Sequence, residues 1–122
     1  MTKAQIMAKI KQKQRELSSK KNRKTEYTNL QNRINTILNN INSALKQLSL
    51  ARDYVKDGFN SKSTNSYKTL NDNYNKLNNI KKTISNTVLP NINSNITTLT
   101  RDINKLNIEI NKLWTDYRNA ES

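Results

Sequence analysis

Neither cysteine nor histidine occurs in this chain of 122 residues. Their absence removes disulfides, thiolate nucleophiles, imidazole bases and most transition-metal sites together. Glycine and proline occur once each, as Gly58 and Pro90. A Gly-rich phosphate loop is therefore excluded, and little in the chain interrupts a helix. The nine acidic residues are scattered, with no D-x-D or E-x-x-H cluster. No run approaches the roughly eighteen apolar residues of a membrane span. The first ten residues carry charge but no continuous apolar stretch, so no Sec signal peptide is expected. These absences lead to the expectation of a protein that is not an enzyme and holds no cofactor or metal.

What is present is polar: hydrophobic residues make up 33 % and the mean hydropathy is −0.96. Such a composition suits disorder, yet the apolar residues keep phase over long distances, which a disordered chain has no reason to do. The chain carries 22 asparagines, mediocre helix formers whose side chains compete for backbone groups. Helices built from them depend on burial of an apolar seam rather than on intrinsic propensity.

That seam is legible. Apolar residues fall at 27, 30, 34, 37, 41, 44, 48, 51 and 55, a strict alternation of three and four. The pattern returns at Tyr67, Leu70, Tyr74, Leu77, Ile80 and Ile84, and again at Leu99, Ile103, Leu106, Ile110, Leu113 and Tyr117. A mean step of about 3.5 lays one narrow apolar stripe along a helix. The spacing predicts an all-α fold, a long antiparallel two-helix hairpin with a coiled-coil seam, forming one domain over 1–122. Helix 1 is expected at about 3–57, the turn at 58–62 and helix 2 at about 63–118.

Local signals refine this picture. Thr2 and Gln5 fit a capping box at the start of helix 1. Residues 18–25 hold no apolar side chain, and fraying or bending is expected there. Gly58 is expected to end helix 1 in a left-handed conformation. Ile80, Ile84, Val88, Ile92 and Ile96 are spaced by four, which resembles an eleven-residue repeat and would relax the supercoil. Pro90 predicts a kink or break over 86–91.

The net charge is +13, and residues 1–24 hold nine Lys/Arg against Glu16 alone. A basic helix leading into a heptad seam raises an alternative function, a coiled coil binding nucleic acid or an anionic surface. Against it, the second helix would cover the seam that a basic zipper uses for dimerisation, and no base-reading segment is visible. Off the seam lie Leu38, Leu45, Leu50, Leu89, Ile108 and Trp114. Leu38 and Leu45 widen the seam. Leu50, Ile108 and Trp114 are the candidate partner-binding residues, because a lone hairpin buries one thin stripe per helix against a large ordering entropy. At the chain's end, Tyr117 and Glu121 form Y-x-x-x-E, the only tyrosine with an acid four residues on.

A helical hairpin of this size with an aromatic-x-small turn and a terminal Y-x-x-x-[DE] resembles the WXG-type substrates of type VII secretion. The turn here reads Phe59-Asn60-Ser61, with Gly58 before it; aromatic and small residues keep their order, while the Trp and Gly of the WXG motif are replaced. The chain is more similar to the divergent helical partners of LXG-domain toxins, the group that includes the YwqH-like proteins of Gram-positive bacteria. The resemblance implies a helical adaptor that binds the N-terminal helical region of an LXG-type toxin and supports its secretion, with room for a second small helical partner. It implies that Tyr117 and Glu121 match the export motif and that Gly58, Phe59 and Ser61 match the turn. It further implies a protein that is cytoplasmic before export and is then secreted as a complex without a Sec signal peptide.

Overall fold

The computed structural model describes residues 1–59 and 65–121, and all of its regular structure is helical. The fold is an all-α helical hairpin. Its elements are α1 (Lys3–Phe59), α2 (Asn65–Thr83), a π-helical turn (Ile84–Val88) and α3 (Leu89–Asn119). Contacts divide the chain into a terminal unit, Met1–Leu30 with Ile92–Ser122, and a central unit, Gln31–Asn91.

The expected capping box starts α1. The Thr2 N–H donates to Gln5 Oε1 at 2.9 Å, and the Gln5 N–H donates to Thr2 Oγ1 at 3.2 Å. Two otherwise orphaned donors are thereby satisfied. From there α1 is continuous for 57 residues. The expected weakness over 18–25 is absent, because the heptad does not stop there. Lys3, Ile6, Ile10, Lys13, Leu17, Lys20, Lys24 and Tyr27 continue the seam, each buried or half-buried. Lysine serves at such positions because its methylene stem covers apolar surface while its ammonium reaches the edge.

Gln31, Ile34, Leu38, Ile41, Leu45, Leu48, Arg52 and Val55 carry the same seam through the rest of α1. Here the expected register needs correction. Residues 34, 41, 48 and 55 belong to the seam as expected, but the intervening positions are 38 and 45, not 37 and 44. Leu45 is buried and Leu38 half-buried, whereas Leu30, Ile37 and Ala51 are exposed. Both choices alternate three and four; tertiary packing selects the one that leads α1 back in phase to Ile6 and Ile10.

The second arm holds another correction. In α2 the seam runs Tyr67, Leu70, Tyr74, Leu77, Lys81 and Ile84, so Lys81 occupies the half-buried place expected for Ile80. In α3 it runs Leu89, Ile92, Ile96, Leu99, Ile103, Leu106, Ile110, Leu113 and Tyr117. Between Ile84 and Leu89 the step is five, one more than a helical seam allows. The π turn takes up that residue, and the Leu89 N–H donates to the Ile84 carbonyl five residues back. The four-residue series is therefore not an eleven-residue repeat: Ile80 and Val88 are exposed, and the phase is corrected in a single turn. The expected kink or break over 86–91 takes the form of this π turn just before Pro90, and α3 follows it without interruption, so the N–H that Pro90 lacks falls inside a continuous helical run.

In the terminal unit, α1 and α3 run antiparallel. Lys13 meets Glu109 at 3.1 Å and Lys20 meets Asp102 at 3.3 Å, while the Lys3 ammonium lies 5.3 Å from the centroid of the Tyr117 ring. As the residue number rises on α1, it falls on α3. The buried core of this unit is Ile6, Ile10, Ile92, Leu99, Ile103, Leu106 and Ile110. Among the described residues of the central unit the buried ones are Ile34, Ile41 and Leu45, all on α1; α2 has none.

Helix-internal threonines add little cohesion between elements. Thr25, Thr28, Thr36, Thr83, Thr97, Thr100 and Thr115 each donate to the carbonyl four residues back. Such bonds satisfy the hydroxyl locally, leaving seam burial to hold the elements together.

Candidate interaction surface

The residues singled out for partner binding fall into two kinds. Leu50 exposes 61 % of its surface and Ile108 exposes 69 %. Each sits on the outward face of its helix, so neither contributes to the hairpin core. Trp114 differs. It is half-buried and packs edge-on against Tyr117, with ring centroids 5.6 Å apart and planes at 84°. That geometry suits the ring quadrupoles and ties Trp114 to the seam.

Tyr117 is itself a seam residue, held between Trp114 and the Lys3 ammonium. Glu121 does not share a helical face with it. α3 ends at Asn119, and the Ala120 N–H donates at 3.3 Å to the Tyr117 carbonyl, a tightened last turn. A carboxylate at a helix C-terminus opposes the macrodipole, so nothing favours extending the helix to include Glu121. The expected arrangement of both side chains on one helical face is therefore corrected: Tyr117 is engaged and Glu121 is exposed beyond the helix.

Of the turn residues, Gly58 and Phe59 belong to α1, which runs past the expected stop. Helical φ is as open to glycine as left-handed φ, and the cost of glycine near a helix end is small. Ser61, with the rest of the expected turn beyond Phe59, lies outside the described residues.

Electrostatics concentrate at two places. In the terminal unit, Asp102, Glu109 and Asp116 recur every seven residues along one edge of α3, and the first two pair with seam lysines. The Glu109 hydrogen bond and charge, with a smaller contribution from Glu16, raise the pKa of Lys13 above its ordinary value. In the central unit, Arg52 occupies a seam position. Its Nη1 donates to Asn71 Oδ1 at 3.1 Å, its guanidinium lies 4.8 Å from the Tyr74 centroid, and its Nε is 3.6 Å from Asp53.

No protein-family model, curated protein or solved structure matches this chain. The site must therefore be read from its own chemistry. A groove of ≈ 530 Å³ in the terminal unit is lined by Lys20, Arg23, Tyr27, Leu99 and Asp102 among others. It is an open furrow beside the seam, and of its two acids, Glu26 and Asp102, the second is already paired with Lys20. Among the described residues no group of acids could hold a metal ion, and no helix is long and apolar enough to cross a membrane.

Sequence reasoning missed part of the exposed apolar surface. Ile37 and Ile80 are 47 % and 51 % exposed although both were expected in the seam. The signal that could have found them was the unbroken heptad back to Lys3, which fixes the register only if lysines are admitted as seam residues.

Proposed function

We propose that the protein is a non-catalytic helical adaptor that binds the N-terminal helical region of an LXG-type toxin and supports its type VII secretion. The observation that carries this reading is the exposure of large apolar side chains, Leu50 and Ile108 foremost, at helix positions that the fold does not use. Single exposed apolar residues are ordinary. Here they accompany a thin core, and a partner helix would supply the burial that the hairpin lacks. Tyr117 and Glu121 would act as the export motif, with Glu121 the accessible half.

Co-expression with the N-terminal region of a cognate LXG-type toxin should yield a stable complex. Leu50→Asp and Ile108→Asp should weaken it while leaving helicity intact, and Glu121→Ala should reduce export without changing Tm. A protein that stays monomeric beside that region would sink the adaptor reading.

The density of Lys and Arg in residues 1–24 favours one second reading, attachment to nucleic acid or another anionic surface. Of these cations Lys13 and Lys20 are engaged by α3 acids, whereas Lys9, Lys11 and Arg15 are exposed. Affinity for duplex DNA that falls steeply with salt would favour it over the adaptor.

A further inference from the structure

The central unit has two edges flanking its seam, and they differ in kind. In heptad terms, with Leu38, Leu45 and Arg52 at a and Ile34, Ile41 and Leu48 at d, one edge is formed by the e positions and the other by the g positions. The e edge carries Asn35, Asn42 and Ser49 from α1 and Asn71 and Asn78 from α2. It is polar throughout, and Arg52 bridges it to Asn71 and Tyr74. The g edge carries Ile37, Ala44 and Ala51 from α1, with Ser66, Asn73 and Ile80 from α2.

In an antiparallel pair the g positions of the two helices share one side. The terminal unit displays this directly: the d-position lysines 13 and 20, which lie beside g, reach Glu109 and Asp102, the g residues of α3. Ile80 therefore lies on the same side as Ile37 and Ala44; Ile37, Ala51 and Ile80 are exposed and Ala44 is half-buried. This strip spans two heptads, about 21 Å along α1.

The charges beside the strip indicate what covers it. Arg33 lies four residues before Ile37 and Lys76 four residues before Ile80, so each exposed isoleucine has a cation as its helical neighbour, and both cations are exposed. Of the unit's three acids, Asp53 and Asp72 fall at b and f positions, away from the strip, and Asp57 lies outside the residues whose side chains are described. Over Gln31–Asn91 there are nine Lys/Arg against those three acids. A second copy of this chain would bring +13 against +13, and like charges across an interface disfavour association.

We propose, resting on the adaptor reading for the existence of a helical partner, that the g edge of the central unit receives an acidic amphipathic helix. Its apolar stripe packs on Ile37, Ala44, Ala51 and Ile80, and its flanking Asp or Glu residues face Arg33 and Lys76. The docked helix completes a three-helix seam. The e edge, closed by Arg52 and asparagine, takes no part.

The test uses the full chain and three designed helical peptides, each about 28 residues so that helix formation is not limiting. The first has a leucine stripe flanked by glutamates, the second the same stripe flanked by lysines, and the third the glutamates with an alanine stripe. Fluorescence anisotropy should show the first binding at least tenfold more tightly than either of the others. Backbone NMR shifts should centre on 37–51 and 76–81. Ile37→Asp and Ile80→Asp should each weaken binding at least tenfold with unchanged circular dichroism, and Ile37→Ser and Ile80→Ser replace them if an aspartate variant loses helicity.

Equal binding of the alanine-stripe peptide would overturn the proposal in favour of a purely anionic ligand such as nucleic acid. Equal binding of the lysine peptide, shifts centred elsewhere, or a dimer in sedimentation that Ile37→Asp abolishes would each overturn it as well. Its failure is distinguishable from that of the adaptor reading. An LXG complex indifferent to the Ile37 and Ile80 variants contradicts the docking edge alone, whereas peptide binding without an LXG complex contradicts the identity of the partner alone.

Discussion

The terminal and central units use one heptad rule with different residues. In the terminal unit α3 supplies Ile92, Leu99, Ile103, Leu106 and Ile110, all buried, against Ile6, Ile10 and lysine stems on α1. In the central unit α2 buries nothing, its seam being Tyr67, Leu70, Tyr74, Leu77 and a half-buried Lys81. Exposed large apolar residues lean the other way: Ile37, Leu50, Tyr54, Ile80 and Val88 belong to the central unit, against Met1, Leu30 and Ile108 in the terminal unit. A unit that buries less and exposes more apolar surface is the one expected to gain most from a partner. The difference suggests a division of labour, with the terminal unit securing the fold and the central unit offering surface.

The largest effects should separate the units most clearly. Leu106→Asp places an unpaired charge among buried apolar side chains and should cost more than about 4 kcal/mol. Ile37→Asp, at an exposed edge, should cost less than about 0.5 kcal/mol. Urea unfolding of the two variants measures both, and similar losses would erase the distinction between seam and edge.

Single-residue deletions come next. Removing Thr87 takes out the one residue that the π turn accommodates, bringing Ile84 and Leu89 to a step of four. The expected result is a continuous α-helix with Tm unchanged or raised. Removing the exposed Asn107 from α3 throws the following seam out of phase and should lower Tm by more than about 10 °C, on the order of several kcal/mol. If Thr87 deletion proves as damaging, the π turn does something other than correct phase.

A smaller gain is expected from Lys24→Leu. Lys24 stands half-buried at a seam position facing the Ile103 region of α3. Polar residues at such positions specify register at a cost in stability, so the leucine variant should be more stable by about 1 kcal/mol. Thermal unfolding would show it as a rise in Tm of a few degrees.

The smallest effect is pH-dependent. The folded state raises the pKa of Lys13 above its ordinary 10.5 through Glu109. Stability from this pair is therefore fully present below the unfolded lysine pKa and is lost as pH rises through the higher folded value. Both partners are about one-third exposed, so solvent screening keeps the contribution small. Subtracting the alkaline unfolding curve of Lys13→Gln from that of the unaltered chain isolates it, and a difference that grows with rising pH would contradict the assignment.

The hairpin was legible because a 3.5-residue period leaves few alternatives to paired helices. The register was not, since Ile37 and Leu38, like Ala44 and Leu45, offer two apolar stripes one residue apart. The deciding residues were lysines 13, 20 and 24, which hydrophobic counting discards and which packing accepts for their stems. Pro90 marked where the second arm would be irregular, but the cause is the five-residue step from Ile84 to Leu89. The candidate surface was legible at Leu50 and Ile108, which lie far from any seam. Ile37 and Ile80 were hidden, because an exposed isoleucine at a helical spacing reads as core until the neighbouring stripe is known to be the buried one.

Native-state hydrogen exchange of the free protein tests the division of labour most directly, because opening free energies track local burial. The expected result is that α3 amides from Leu99 to Ile110 exchange at least tenfold more slowly than α2 amides from Tyr67 to Ile80. Equal protection of the two segments, or stronger protection of α2, would contradict the account of a self-sufficient terminal unit and an under-packed, partner-facing central one.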